Sequence, residues 1–222
     1  MSNLVQRLAT LDTPTVSDAL DKLSLAGCVT GLRPMTVRRR IAGQVVTLAL
    51  GPCDDGGPPK RHLGAGAVMA GHRGDVIVVE HQSVEVSGWG GLLSRGATLR
   101  GISGVIIDGA FRDVDEAVEL DFPIYARAAV PLTARGRIAE KSFNAPIVVG
   151  GCQVSPGDMV IADSSGVVFL PQAHAEAIIS LAEDLYRREE RMARELQAGV
   201  SIEQVLDARY EEMLKRGATD GE

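Results

Sequence analysis

The sequence predicts one α/β domain on a mixed sheet, layered with helices and finished by a long C-terminal helix. Three observations carry that prediction. Short β-branched runs at 76–79 and 104–108 alternate with helical patterns, the signature of parallel strands joined by crossover helices. Further on, the apolar runs 159–163 and 166–170 are separated only by Ser164-Ser165, which points to a hairpin. From 173 to 196 apolar and charged residues then recur at helical period, with Gly199 as the stop.

The first elements are helical. Leu4, Val5, Leu8 and Leu11 give a helix over 3–11, which Thr13-Pro14-Thr15 interrupts. A second helix is expected to start near Thr15 or Ser17, to carry Val16, Ala19, Leu20 and Leu23 on one face, and to close at Gly27. IAGQVVTLAL (41–50) is a strand, and GPCDDGGPPKRHLGAGA (51–67) is a loop by composition, of a kind that often borders a site. A short helix over 65–70 and a turn at Arg73-Gly74-Asp75 lead to the buried strand 76–79. GWGGLLSRGATLRG (88–101) places Gly88, Gly90 and Gly91 before a helical pattern. Backbone N–H groups are free at such a start, so the segment is either a carboxylate cradle or a tight strand-to-helix turn. Strand 104–108, ended by Gly109, delivers a charged set, Arg112, Asp113, Asp115 and Glu116, to its end. That set is either an ion pair at a turn or a guanidinium that grips a carboxylate beside a cation ligand. Runs at 123–126 and 147–149 are further strands, and 201–215 a further helix. With no repeat and no linker, 1–222 reads as a single domain in which 173–222 is a helical C-terminal extension.

Composition narrows the function. Hydrophobic residues at 45% and charged residues at 23% suit an ordinary globular protein. A formal charge of -6, with Arg38-Arg39-Arg40 the only basic triplet, argues against nucleic acid as a partner. No apolar run approaches the roughly 20 residues of a membrane helix, and MSNLVQRLATLD lacks the apolar core of a signal peptide. Cys28, Cys53 and Cys152 are odd in number and widely spaced, as expected of free thiols in a reducing compartment. A cytoplasmic protein without a membrane partner is the expectation. Lys22, Lys60, Lys141 and Lys215 lie in no apolar setting that would lower a pKa, which disfavours Schiff-base chemistry. His62, His72, His81 and His174 show no paired ligand spacing, and Trp89 either walls a site or packs.

Gly90-Gly91-Leu92-Leu93, GVIIDGAFRDVDE (104–116), FPIYARAAVP (122–131) and APIVVGGCQVSPGDMVIADSSGVVFLP (145–171), read together, resemble the RraA-like family in order and spacing. The resemblance extends from Pro14 to about Gly199, and its most specific part is RDxxE at Arg112, Asp113 and Glu116. That family holds class II 4-hydroxy-4-methyl-2-oxoglutarate / 4-carboxy-4-hydroxy-2-oxoadipate aldolases, which also decarboxylate oxaloacetate, and regulators that bind a ribonuclease. The resemblance implies an RraA-like layered fold, a homotrimer or dimer of trimers with sites between subunits, a small 2-oxo acid substrate and Mg²⁺ or Mn²⁺. By motif, Arg112 holds the substrate carboxylate, Asp113 ligates the metal, and Gly90 with the amides of Leu92 and Leu93 completes the carboxylate pocket. Glu189 or Glu190 would reach a neighbouring subunit's metal through water. Glu116 is either a helix-start acid paired with Arg112 or a catalytic carboxylate. Both implied reactions pass through a pyruvate enolate, whose charge a chelated divalent cation stabilises as a Lewis acid.

Two departures stand out. Position 91, usually Asp or Glu in the aldolases, is Gly91, and no GDN-type segment is evident in the 51–67 loop. Losing such an outer carboxylate typically lowers metal affinity or rate roughly 10–100-fold. Weak metal binding, a substitute side chain or a different substrate are the alternatives.

Overall fold

Alternating apolar runs become parallel strands as expected. In the computed structural model, which describes residues 3–53 and 62–206, α1 (Asn3–Leu8) and α2 (Thr13–Lys22) precede the short β1 (Cys28–Val29) and β2 (Arg33–Pro34) and the long β3 (Ile41–Pro52). Then come α3 (Ala65–Ala70), β4 (Val76–Glu80), α4 (Gly91–Arg100), β5 (Gly104–Phe111), α5 (Val114–Glu119) and β6 (Ile124–Ala129). The second half holds β7 (Ile138–Phe143), β8 (Ile147–Val149), β9 (Cys152–Val154), β10 (Met159–Ala162), β11 (Val167–Leu170), α6 (Ala175–Gln197) and α7 (Ile202–Val205). Most of the predicted 201–215 helix, and 54–61 of the Gly/Pro-rich loop, lie outside the described residues.

Among the described residues the main sheet runs β1-β11-β10-β3-β4-β5-β6-β2, with β7 paired to β3. Strands β3 to β6 are mutually parallel, while β10 is antiparallel to both β3 and β11, so the sheet is mixed as predicted. Helices α3, α4 and α5 make the crossovers that parallel neighbours require. Because side chains alternate along a strand, Ile77, Val79, Val105 and Ile107 face these helices. Val76, Val78 and Ile106 face the opposite layer, where Ile147, Val149 and Val154 of the β8–β9 hairpin cover them. Burial on both faces explains the uninterrupted apolar runs. Helices α1, α2 and α6 close a third cluster over Val168 and Leu170. No helix among the described residues is long and apolar enough to cross a membrane, and Cys28, Cys53 and Cys152 are free thiols.

Several boundaries differ from expectation, each for a local reason. Helix α2 begins at Thr13 because the Asp12 carboxylate accepts the Thr15 N–H and Pro14 falls in the first turn, where a missing N–H costs nothing. It ends at Lys22 rather than Gly27; Gly27 instead lets the chain approach β11, since a Cβ there would lie 2.2 Å from the Phe169 carbonyl oxygen. Strand β5 does not stop at Gly109. It continues to Phe111 through a register shift against β6, and Gly109 is needed because a Cβ would meet the Ser83 carbonyl at 2.6 Å. The strand β7, which carries Glu140 and Lys141, was not expected at all; it is half-exposed and pairs with the end of β3.

Asp163, just past β10, ties the start of α2 to the β10–β11 turn. Its carboxylate accepts from the Thr13 N–H (2.9 Å), the Thr13 hydroxyl (2.6 Å) and the Ser165 N–H (2.8 Å). Burial alone would push this carboxyl up, but those hydrogen bonds and the Arg40 charge hold it below the usual carboxylate range. A depressed folded-state pKa contributes stability above the unfolded value, about 3.9, that is lost as pH falls through the folded one. Asp163→Asn is therefore expected to cost about 1 kcal/mol near pH 7, allowing for partial solvent screening. Urea denaturation at pH 7 and pH 3 checks this, and a gap that does not narrow at low pH refutes the account.

Candidate active site

Parallel β4 and β5 end side by side, and the segments leaving their carboxyl ends build one cavity. Its volume is about 620 Å³, and its walls include Trp89, Gly90, Gly91, Leu92, Leu93, Arg112, Asp113 and Glu116, with Leu63 and the 133–136 loop opposite. Ligands in open α/β sheets are bound at this end, beyond the carboxyl ends of the strands.

Trp89 fixes the two halves together. It is 1% exposed, donates from Nε1 to Ser94 Oγ (2.9 Å), and its carbonyl accepts the Arg112 N–H (3.0 Å). It both packs in the core and lines the cavity. After it, Gly90 caps α4 in extended backbone and offers no side chain. In the first helical turn the Gly91 N–H donates to Asp113 Oδ2 (2.8 Å), whereas the N–H groups of Leu92 and Leu93 meet no protein acceptor among the described residues. Orphan donors at a helix start need a partner, and here they adjoin the cavity.

Asp113 carries positive φ (63°) and stands at the head of α5, yet its side chain does not cap α5 but turns across to α4. Left-handed backbone costs an L-residue roughly 1–2 kcal/mol, and Asp tolerates it better than most. Arg112 Nε lies 3.5 Å from Asp113 Oδ2, and its guanidinium makes no hydrogen bond among the described residues, leaving it free for an anionic ligand. Glu116 pairs with Arg95 (2.8 Å), not with Arg112 as one expectation had it. At both 90 and 91 glycine leaves room that neighbouring acidic side chains take up. A Cβ at 90 would meet Asp113 Oδ2 at 2.9 Å, and one at 91 would lie 1.7 Å from Glu116 Oε2.

The donor set bears on the implied cation. Among the described residues no three His, Cys, Asp or Glu side chains converge as a closed metal cage. Asp113 and Glu116 instead place two carboxylates on an open cavity wall. Mg²⁺ and Mn²⁺ favour such oxygen donors, and Mg²⁺ is usually held by one or two carboxylates with the rest of its shell left to water and substrate, so the residues fit.

The structure thus brings Gly90, Leu92, Leu93, Arg112 and Asp113 together. Glu189 and Glu190 do not line this cavity in their own subunit. Glu189, on α6, faces α2 of its own subunit and bonds to Thr15, and burial with the charges of Asp18 and Asp12 raises its pKa; Glu190 is exposed. Of the histidines only His62 lines the cavity. His81 is buried behind Gly88 and Gly109 with its Nδ1 unpartnered, and burial holds its pKa below the usual imidazole range. Two arginines were not singled out by sequence: Arg135, which lines the cavity, and Arg95, which pairs with Glu116. Arg95 sits one helical turn after Gly91 and could have been found by that spacing, while Arg135 lies in a stretch with no period to place it.

Comparison with known proteins identifies the chain's relatives and the fold it shares. The profile of the family described as Aldolase/RraA, RraA-like, matches residues 13–169. Protein DlpA of Legionella pneumophila is 26% identical over 205 residues, covering 92% of this chain; the chain spans only 33% of DlpA's length. A 4-hydroxy-4-methyl-2-oxoglutarate aldolase of Thermus thermophilus is 32% identical over 138 residues, 61% of this chain and 78% of that protein. Among solved structures, an uncharacterised protein of Pseudomonas syringae superposes with a TM-score of 0.82 at 27% identity, covering 92% of this chain and 96% of its own.

Proposed function

The chain belongs to the RraA-like family, and on that premise we propose that it is a divalent-metal-dependent carbon–carbon lyase acting on small 2-oxo acids. The reactions are retro-aldol cleavage of a 4-hydroxy-4-methyl-2-oxoglutarate-type substrate and decarboxylation of oxaloacetate. The observation that carries this reading is that the Arg112 guanidinium, with no hydrogen bond among the described residues, lines the same cavity as Leu92 and Leu93, whose N–H groups meet no acceptor, and the Asp113 carboxylate.

Each residue has a role that its chemistry supports. Arg112 binds the substrate carboxylate through a charge-assisted pair of hydrogen bonds, and the Leu92 and Leu93 amides take its remaining lone pairs. Asp113, fixed by the Gly91 N–H, would hold Mg²⁺ or Mn²⁺ beside the bound 2-oxo acid. A cation bound there supplies a Lewis acid for the charge that develops on the keto oxygen. Assembly as a homotrimer or a pair of trimers belongs to the same proposal, supported by Leu92 and Leu99, which α4 leaves more than four-fifths exposed. A cytoplasmic setting, suited to the free thiols, completes it.

The test uses the full chain. Pyruvate release from oxaloacetate and from 4-hydroxy-4-methyl-2-oxoglutarate is expected to exceed the rate with Mn²⁺ alone, to stop with EDTA and to return with added Mn²⁺ or Mg²⁺. Failure on both substrates, together with tight binding to a ribonuclease, would transfer the chain to the non-enzymatic branch.

A further inference from the structure

We infer that Glu116 is the second carboxylate of the cation site, turned into the space that glycine at position 91 leaves open. This rests on the functional reading above and deepens it. The carboxylate of Glu116 occupies the volume a side chain at 91 would fill: a Cβ there would lie 1.7 Å from Oε2, 2.5 Å from Cδ and 3.1 Å from Oε1. Asp113 reaches the same residue at its backbone, accepting the Gly91 N–H at 2.8 Å. Two acids from α5 and its approach therefore converge on one glycine. Asp113 stands just before α5 and Glu116 in its first turn, and both line the cavity.

The orientation of Glu116 is also set. Arg95 holds Oε1 at 2.8 Å, which leaves Oε2, the oxygen nearest Gly91, with no donor among the described residues. A carboxylate whose only protein partner is an outer guanidinium, and whose inner oxygen is uncommitted, is suited to a hard cation or its water. Arg95 is accordingly a positioning residue. Glycine at 91 belongs to the same arrangement, because any larger residue there would have to move the Glu116 carboxylate.

Mn²⁺ binding to the full-length chain without substrate, followed by the electron paramagnetic resonance signal of free Mn²⁺, tests this independently of turnover. Glu116→Gln, which keeps the side chain's size and its contact with Arg95, is expected to weaken binding about 10–100-fold. Asp113→Asn should weaken it more. Gly91→Asp combined with Glu116→Ala is expected to regain most of what Glu116→Gln loses, with circular dichroism confirming the fold. Parental Mn²⁺ affinity in Glu116→Gln, alongside loss in Asp113→Asn, overturns the inference and leaves the functional reading intact. Absence of Mn²⁺ binding by the parent overturns both.

Discussion

Arg112→Ala is expected to lower kcat/KM for oxaloacetate by about 10²–10³-fold, the largest single effect on activity outside the metal ligands. The magnitude comes from two charge-assisted hydrogen bonds to a carboxylate in a partly dry cavity, together worth roughly 3–4 kcal/mol of transition-state stabilisation. Arg112 has no structural bond to lose, since its guanidinium pairs only loosely with Asp113 at 3.5 Å, so the variant should fold as the parent does. Arg112→Lys keeps the charge but not the two-pronged geometry, and should recover only part of the loss. Initial rates over a range of substrate concentration decide the matter. A parental kcat/KM in Arg112→Ala would remove this residue from the site.

Trp89→Ala should be the most damaging single change to stability, by about 3–5 kcal/mol. The indole is 1% exposed within the cluster under α4 and α5. For a domain of this size, such a loss lowers the melting temperature by roughly 10 °C. Trp89→Phe retains most of the packing but strands Ser94 without its indole partner, and should cost about 1–3 kcal/mol. Calorimetry separates the two. A Trp89→Ala melting point within a degree or two of the parent would mean that the core around β5 tolerates the cavity.

The central strands were legible because burial on both faces demands continuous apolar runs, and 76–79 and 104–108 suit no other use. The residues of the cavity wall were legible too, although as a motif: RDxxE and the Gly90-Gly91-Leu92-Leu93 segment carry them in order. What could not be read lies in contacts between distant segments. Strand β7 is half-exposed and its charges match no strand period, so only its pairing with β3 reveals it. Pro14 looks like a break until Asp12 is seen capping the turn that contains it. Asp113 gives no sign in the sequence that its backbone is left-handed or that its side chain bonds to another helix. Position 91 is the sharpest case. By itself it is a missing acid, and the candidate to fill it emerges only once α4 and α5 lie together.

That shared space makes the conformation of one residue depend on the size of another. Residues 91 and 116 compete for one volume, so bulk at 91 and this placement of Glu116 exclude each other. The glycine is thus part of what sets the glutamate's direction, and a substitution at 91 is expected to be read out as a turn of Glu116.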